Sequence, residues 1–572
     1  MLTTKQVEMN IEKIANWLKE QGLDALYLSS FDQSMSEYVP MQDCLRYYVS
    51  GFDGSMGEAF VTAQGQAQVF ADGRYHLQLD QQAKASNLKA VKTPFGRSNL
   101  ALMQEHLIEL GVKKLGVVDQ RTPVKIKDEL SECFTVSAIA FEQVAQLLEL
   151  KDEGQLAPLY SVSDQLGSVQ DQLQRLKIGP ESAYFLTALD DVSWLTQLRG
   201  FHTPYNSYFK GKALVTEQKI YLLTQADLPA EFQNSALEVL KVAGVDQWQS
   251  IIKKHQIKTI KADFDYLNLQ DYQMLQQLVG EKQLVDCRQV ANIKAHKTNQ
   301  EIRNLQENYQ LAAECLFEVI NWFKKSNETG ELISEKQLAI KTEEVYRSRG
   351  ALSLSFNVIS GFSENAAIIH YSDPSEKRVV QKNDLVLLDS GAHFPSGLAT
   401  DCTRTFLPFE KVKCDATFLK KYRYYYTLVL QGQIRAESSV FREGTLGCSF
   451  DQMARSALNR AGLDYQHGTG HGVGVCVHER GANLSSRSLL AVKEGQVLSI
   501  EPGVYLANEL GIRLENVVVV KRHHRHPEFL YFEPLIYLPW EIDLIDESIL
   551  SQEELTYLKD YHAECKKRGF EF

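Results

Sequence analysis

The chain has 572 residues, too many for a single hydrophobic core, and its 44% hydrophobic and 23% charged content is ordinary for a globular protein. Its net charge of −12 argues against nucleic acid or an anionic membrane surface as a partner. The nine scattered cysteines contain no CxxC pair and no apolar run reaches the length of a membrane span, so the sequence predicts a cytoplasmic protein with reduced thiols.

Residues 1–152 are predicted to form an α/β domain. An amphipathic helix is expected over residues 3–21, because Thr3 and Gln6 can form a capping box and Gly22 can end the helix. Short apolar segments such as DALYLSS and KKLGVVD are typical of buried strands. Asp72 and Arg74, in ADGRY, fit a structural turn as well as they fit a contact with a substrate.

A second α/β domain is predicted over residues 153–297. A polar stretch with Gly154 and Pro158 marks its start. The segments YFLTALD and LTQLRG then repeat the order of LYLSSFD and RYYVSG in the first domain. The recurrence of strand, helix, strand and hairpin in the same order indicates a duplicated domain.

Residues 298–572 are predicted to form a third, α+β domain, in which helices separate apolar strands. Each helix is expected to begin at a capping box. The four predicted pairs are Thr298 with Glu301, Ser334 with Gln337, Ser449 with Gln452, and Ser551 with Glu554.

Acidic residues follow or interrupt the strands of this third domain. LVLLD carries Asp389 at the end of an apolar run, and Asp401 follows in TDCTRTF. QVLSIEPG carries Glu501, while GIRLENVVVV is predicted to be one strand whose period of two places Arg513 and Glu515 on the same face. Any one of these residues alone fits a strand end or a turn better than a ligand position, but their joint pattern is far more specific.

Carboxylates gathered in a poorly hydrated place cannot all stay ionised, because desolvation and mutual repulsion raise their pKa values. Two divalent cations would cancel the charge of four carboxylates. The segment HGTGHGVGVCVHE adds His467, His471 and His478 as candidate nitrogen ligands. A set rich in oxygen with a single imidazole suits Mn2+ better than a structural zinc site, which favours Cys and His. The sequence therefore predicts a dinuclear site that would bind a water, lower its pKa and polarise a substrate carbonyl.

The ligand order and its motifs resemble the pita-bread metallopeptidases, the group of methionine aminopeptidase, prolidase and aminopeptidase P. The resemblance is carried by DSG, TDCTRTF, GTGHGVG, IEPG and IRLENV. SGFDGS, ADGRY and DDVSWLTQLRG are similar to the creatinase-like N-terminal domains of the large, three-domain aminopeptidases P. One interval departs from the pattern, since Asp389 and Asp401 are one residue further apart than expected, and the hairpin FPSGLA would absorb the insertion.

This resemblance implies a function and a set of metal ligands. The implied ligands are Asp389, Asp401, His471, Glu501 and Glu515. The implied enzyme is a homodimeric metallo-aminopeptidase that releases the N-terminal residue from peptides with proline at the second position. A hydroxide held by two ions would attack the carbonyl of the first residue, with Glu501 as general base.

The resemblance also suggests roles for residues beyond the ligands. His370, expected at the end of an apolar strand, would face the substrate, although a core position is the alternative. His478 would orient the peptide and stabilise the developing charge, and His467 would be a proton shuttle or a pocket residue. Arg513 would pair with a ligand carboxylate or with substrate, and Tyr505 would line a proline pocket or belong to the core. His393, in the hairpin, is expected to face solvent.

Three other functions compete with this one. A prolidase would cleave only Xaa-Pro dipeptides, but the duplicated N-terminal domain disfavours it. A relative that binds peptides or proteins without catalysis would lack ligands, and here all five are in place. A metal-free hydrolase of the creatinase type is disfavoured for the same reason.

Overall fold

The structure is a computed structural model that describes residues 2–150, 154–230, 232, 234–242, 244–409 and 415–571. The chain forms two compact units. The first spans Met1–Ser161, Ser168–Pro204 and Tyr208–Val290, and the second spans Val162–Gly167, Tyr205–Ser207 and Ala291–Phe572. The predicted boundary at residue 152 lies outside the described residues.

The N-terminal part of the first unit is an α/β fold, in agreement with the sequence prediction. Its elements are α1 Thr4–Gln21, β1 Ala25–Ser29, α2 Leu45–Ser50, β2 Glu58–Thr62, β3 Ala67–Ala71, α3 His76–Gln82, β4 Leu88–Lys92, α4 Asn99–Glu109, β5 Lys114–Val118, α5 Val124–Ser131, β6 Thr135–Ile139 and α6 Phe141–Leu147.

The next stretch of the chain repeats this pattern. Its elements are β7 Tyr160–Ser161, α7 Ser163–Leu166, α8 Val169–Arg175, β8 Ser182–Leu186, α9 Leu189–Thr196, β9 Leu198–Arg199, β10 Lys212–Val215, β11 Ile220–Leu223, β12 Leu237–Leu240, α10 Val245–Lys254, β13 Thr259–Ala262, α11 Leu269–Val279, β14 Leu284–Asp286 and α12 Gln289–Ala295.

The two sheets of the first unit have the same topology. The six-stranded orders are β4-β3-β2-β1-β5-β6 and β12-β11-β10-β8-β13-β14. The central strand of each, β1 or β8, pairs antiparallel with the next hairpin strand and parallel with the strand on its other side. The shared topology agrees with the domain duplication that was predicted from the repeated sequence segments.

Strands β1, β2 and β3 of this unit are buried along their whole length, whereas the edge strands β4 and β6 are partly exposed. In β2, Phe60 joins a core that also contains Phe185 of β8 and Trp248 of α10, while Ala59 and Val61 pack into a separate core with Ile11 of α1. Burial on both faces explains why the strands are continuously apolar rather than alternating.

The second unit is α+β, as predicted. Its elements are α13 Asn299–Glu328, α14 Glu335–Ser348, β15 Ser353–Leu354, β16 Ile359–Phe362, β17 Val386–Ser390, β18 Ala392–His393, β19 Cys402–Phe406, α15 Ala416–Glu437, β20 Val440–Arg442, α16 Gly447–Arg460, β21 Gly470–Gly472, β22 Glu479–Leu484, β23 Val497–Ile500, β24 Gly503–Leu506, β25 Leu510–Arg513, β26 Asn516–Arg522, β27 Phe529–Pro534 and α17 Gln552–Lys567.

Three sheets of this unit carry the predicted ligands. A three-stranded sheet has the order β16-β17-β19, a six-stranded sheet has the order β20-β27-β26-β23-β21-β22, and β24 and β25 form a two-stranded hairpin. The loops and strand ends where these sheets approach one another hold the acidic residues.

Most predicted helix starts are confirmed. Capping boxes form at Thr3, Thr298, Ser334 and Ser551. The prediction for Ser449 with Gln452 is wrong, because the N-cap of α16 lies three residues earlier, at Leu446, whose side chain makes no capping hydrogen bond. Leu446 pairs instead with Ala491 in an isolated β-bridge, so tertiary pairing fixes this helix start.

Within the part of the chain that the structure describes, no helix combines the length and apolar character that crossing a bilayer requires.

Candidate metal centre

Asp389 lies in one strand of an antiparallel pair, and Asp401 lies next to the other strand. Asp389 lies within β17, opposite Thr403, and Asp401 directly precedes β19. Between them, a Cβ atom added to Gly391 would lie 1.8 Å from the carbonyl oxygen of Thr400. Only glycine allows the two backbones to approach this closely, and that approach brings both aspartates to the same end of the sheet.

Glu501 and Glu515 lie at breaks between strands. Glu501 follows β23 directly, and its N–H donates to Thr469 O at 2.8 Å. The prediction that GIRLENVVVV forms one strand is wrong, since β25 ends at Arg513 and β26, in another sheet, begins at Asn516. At the break the Glu515 N–H donates to Thr403 O at 3.2 Å. Residues 510–520 are all buried, so the alternation in the sequence does not separate a buried face from an exposed one.

His471 lies on β21, which pairs with β22 through an irregular register between His471 and Gly472. Its Nδ1 lies 3.1 Å from Gly472 O, and because a carbonyl oxygen only accepts, Nδ1 carries the proton. Nε2 is therefore directed at the carboxylates, 3.2 Å from Glu501 Oε1 and 3.5 Å from Asp401 Oδ2.

The structure brings the predicted ligands together from distant parts of the second unit. One ligand atom from each of Asp401, His471 and Glu515 lies within 4.8 Å of the others. Glu501 joins them through His471, and Asp389 contacts Arg513, whose Nη2 lies 2.6 Å from Asp389 Oδ2.

The carboxyl groups of this cluster cannot all be ionised at neutral pH. Burial, and then the negative charge of the neighbouring carboxylates, holds the pKa values of Asp401 and Glu515 well above their usual range. Burial also raises the pKa of Asp389, although Arg513 opposes the increase. For Glu501, burial is outweighed by its hydrogen bond to His471, which brings the pKa to about 2, while the pKa of His471 is raised to about 9.

The donor set fits divalent cations. Asp389 Oδ1 and Glu515 Oε1 are buried and accept no hydrogen bond from any residue that the structure describes. A buried carboxylate oxygen without a donor is costly, and a cation removes both this cost and the repulsion between the carboxylates. His471, with Nε2 aimed into the same group, offers the single nitrogen ligand.

A hydrogen-bonded chain adjoins the carboxylates. Arg513 Nη1 donates to Tyr505 OH at 2.9 Å, and Tyr505 OH lies 2.9 Å from His467 Nε2. His467 Nδ1 lies 2.7 Å from Gly468 O and must donate to it, so Nε2 accepts from Tyr505. Burial lowers the pKa of His467 to about 4, which keeps the ring neutral. The structure thus links Arg513, Tyr505 and His467 by consecutive hydrogen bonds next to Asp389.

The three remaining histidines differ in how well their positions agree with the sequence predictions. His478 directly precedes β22, with its ring centroid 4.4 Å from that of His471. His370 is not at the end of a strand, because β16 ends at Phe362 and His370 lies in a turn eight residues later. The prediction that His393 faces solvent is wrong, since it is fully buried with Nε2 3.1 Å from Tyr205 O.

Several positioning residues were not predicted. Thr403 Oγ1 donates to Glu515 Oε2 at 2.8 Å, and Ser499 Oγ lies 3.3 Å from Glu501 Oε1. Thr403 is two positions from Asp401, and Ser499 is two positions from Glu501. This closeness in sequence to the predicted ligands could have indicated both residues. Lys297, which pairs with the buried carboxylate of Glu479 beside His478, gives no such signal because it lies 182 residues away.

The fold and this cluster define a pita-bread protein of the metallopeptidase class. Comparison with protein families matches residues 303–522 to metallopeptidase family M24 and residues 528–569 to the C-terminal region of these peptidases. Residues 10–150 and 159–301 each match the creatinase/prolidase N-terminal domain. The chain belongs to metallopeptidase family M24.

Similar proteins cover the whole chain. It is 31% identical to a "Probable Xaa-Pro aminopeptidase P" of Laccaria bicolor, over 97% of this chain and 89% of that protein. It is 29% identical to "Xaa-Pro aminopeptidase app-1" of Caenorhabditis elegans, over 97% and 93%.

Solved structures agree with this relationship. The crystal structure of X-prolyl aminopeptidase from Caenorhabditis elegans, described as a cytosolic enzyme with a di-nuclear active site, covers 99% of this chain and 96% of its own, with a TM-score of 0.88 and 25% identity. The prolidase from Pyrococcus horikoshii shares the fold over 65% of this chain and 99% of its own, with a TM-score of 0.52 and 22% identity.

Proposed function

We propose that this protein is an Xaa-Pro aminopeptidase, a hydrolase that releases the N-terminal residue from peptides with proline at the second position. The observation that carries the proposal is the cluster of four carboxyl groups and His471, in which one oxygen each of the buried Asp389 and Glu515 accepts no hydrogen bond from a described residue. Its support is the family membership and the full-length similarity to aminopeptidases P.

The proposed ligands are Asp389, Asp401, His471, Glu501 and Glu515, which would hold two divalent cations. Mn2+ is proposed because the set is rich in oxygen and has one imidazole. When bound, such ions lower the pKa of a water molecule and polarise a carbonyl group.

Glu501 is the proposed general base. It lies at the edge of the cluster with its side chain 18% exposed, so it can accept a proton from water and pass it on. His478, beside His471, is proposed to orient the peptide and stabilise the negative charge that develops on the carbonyl oxygen. His370 is proposed to face the substrate from its turn.

His467 fits a pocket residue better than a proton shuttle. Both ring nitrogens are engaged, one with Gly468 O and one with Tyr505 OH. Together with Tyr505 and Arg513, it is proposed to shape the pocket that binds the substrate. An Xaa-Pro bond has no N–H, so a flat pocket without an acceptor at that position would favour proline.

The organisation of the protein is also proposed in part. We infer three domains, 1–152, 153–297 and 298–572, supported by the two repeated sheets. A cytoplasmic location is supported by the cytosolic relative and by the cysteine pattern. A homodimer is proposed on the family resemblance, and neither nucleic acid nor membrane is expected as a partner.

The decisive experiment measures release of the first amino acid from an Xaa-Pro-Pro peptide. We expect activity that a chelator abolishes and Mn2+ restores, and little turnover of an Xaa-Pro dipeptide. Glu501→Gln should lower kcat by several orders of magnitude while circular dichroism stays unchanged. Activity confined to dipeptides would indicate a prolidase, and activity that survives complete metal removal would contradict the proposed chemistry.

A further inference from the structure

The turn that carries His370 is tied to one buried carboxylate, that of Glu335. Glu335 is the first residue of α14 and is fully buried. Its oxygens accept hydrogen bonds from Phe362 N at 2.8 Å, Tyr371 OH at 2.8 Å and Ser375 N at 3.1 Å. Asn365 Nδ2 also donates to both oxygens, at 3.0 and 3.1 Å.

These donors lie on both sides of His370 in the sequence. Phe362 and Asn365 precede it, Ser375 follows it, and Tyr371 is its immediate neighbour. On the other flank, the carbonyl of Ile369 lies 3.5 Å from Arg513 Nη1, and Arg513 also binds Asp389. The backbone on either side of His370 is therefore connected to Glu335 and to the carboxylate cluster.

Capping of α14 does not account for Glu335. The capping box of this helix is made by the side chains of Ser334 and Gln337. In the part of the chain that the structure describes, no Lys or Arg forms an ion pair with Glu335. Burial accordingly raises its pKa, although the hydrogen bonds oppose the increase. A buried carboxylate without a cation is costly, and it is retained where its donors must be fixed.

We propose that Glu335 is a positioning residue for catalysis, which holds the turn of residues 362–375 so that His370 presents its ring to the substrate. The inference rests on the proposed function, because it gives His370 a substrate-facing role. All four partners of Glu335 are used as donors, so an acceptor-only group is needed at this position. Glu335→Gln keeps the shape but directs an N–H group at these donors, and it should fail to replace glutamate.

A double-mutant cycle tests this link. We expect Glu335→Ala to lower kcat/KM for an Xaa-Pro-Pro peptide by about 10- to 100-fold, the size that a misplaced catalytic group produces. In a His370→Ala background the same substitution should cost less than about twofold, because the two residues act as one unit. Mn2+ stoichiometry should stay unchanged, since Glu335 contacts none of the proposed ligands. Equal losses in both backgrounds, no loss at all, or loss of metal would overturn the inference.

Glu554→Ala is the matched control. Glu554 is also a buried carboxylate at a helix N-terminus, in the capping box of α17, but its partners are Gln431 and Arg435. Its removal should lower the melting temperature without changing kcat/KM. Should Glu335→Ala not fold, Tyr371→Phe removes a single donor, and the same cycle with His370→Ala decides.

A separate measurement keeps the two proposals distinguishable. The ring signals of His370, assigned by NMR on histidine-labelled protein, should shift in Tyr371→Phe whether or not the enzyme cleaves Xaa-Pro peptides. An inactive wild type with this shift would overturn only the proposed function. An active wild type without the shift and without coupling in the cycle would overturn only the role of Glu335.

Discussion

At the scale of single residues, Glu58 is a carboxyl group whose burial affects folding. It lies on β2, is 8% exposed and accepts a hydrogen bond from Tyr27. Burial raises the pKa of Glu58 from 4.5 to about 7, although Tyr27 and Arg46 oppose the increase. Because the folded state binds this proton more tightly than the unfolded state, its contribution to stability is complete below about pH 4.5 and is lost as the pH rises to about 7.

Glu58→Gln should remove this pH dependence. The difference between the pKa values of 4.5 and about 7 corresponds to about 3 kcal/mol in the free energy of unfolding. We expect the variant to be more stable than the wild type at pH 8, with the advantage decreasing towards pH 5, as measured by urea unfolding at several pH values. Glu142→Gln, at an exposed position of the same unit, should keep the wild-type slope. An unchanged slope in Glu58→Gln would contradict the role of burial.

Single residues also show how far sequence reasoning reaches. The capping boxes at Thr298 and Ser334 were predictable because all their partners lie within three residues. The burial of His393 was not, because it depends on Tyr205, 188 positions away. Asp389 and Glu501 could be singled out because each follows an apolar run, whereas the other three proposed ligands were indicated by motifs shared with the family. The distances between all five depend on how three sheets meet.

At the scale of elements, the break in GIRLENVVVV shows why a period of two cannot define a strand. The pattern continues through Leu514 and Glu515 although β25 and β26 belong to different sheets. Residues 510–520 are all buried, so the alternation of charged and apolar side chains does not reveal where the hydrogen-bond partners change. Here Glu515 N–H bonds to Thr403 O, in the sheet of the aspartates, and this contact between sheets assembles the site.

Close packing of β21 against β23 leads to a prediction about metal affinity. A Cβ atom at Gly470 would lie 1.8 Å from Ser499 O, so Gly470→Ala must push apart the segments that carry His471 and Glu501. We expect a loss of about 1–3 kcal/mol in stability, as for overpacked cores, and at least a tenfold weaker binding of Mn2+ by calorimetry. Gly179→Ala, where the added Cβ atom would have no described residue's atoms within 4 Å beyond its chain neighbours, should change neither quantity. Wild-type Mn2+ affinity in Gly470→Ala would show that the strand spacing does not control the site.

At the scale of the whole molecule, the compact units do not follow the order of the chain. The repeated sequence segments allowed the duplicated domain to be predicted, because each repeat is continuous in sequence. The structure groups Tyr205–Ser207, which lie inside the second repeat, with the unit that contains the proposed ligands. Three residues carry no recognisable pattern, so no reading of composition or periodicity could have assigned them to that unit.

Ser207 gives this grouping a testable consequence. Its hydroxyl is fully buried, 2.5 Å from Gly397 O and 3.1 Å from Val475 O, and so connects the hairpin between Asp389 and Asp401 with the segment between His471 and His478. Ser207→Ala leaves these carbonyl groups without this donor, at a cost of about 1–3 kcal/mol. We expect a lower melting temperature for the transition of this unit and weaker Mn2+ binding, because both segments border the site. Ser131→Ala, which removes an exposed hydroxyl bonded to Lys127 O, should change neither. A Ser207→Ala protein with wild-type melting and wild-type Mn2+ affinity would show that the ligand-bearing unit does not depend on this segment.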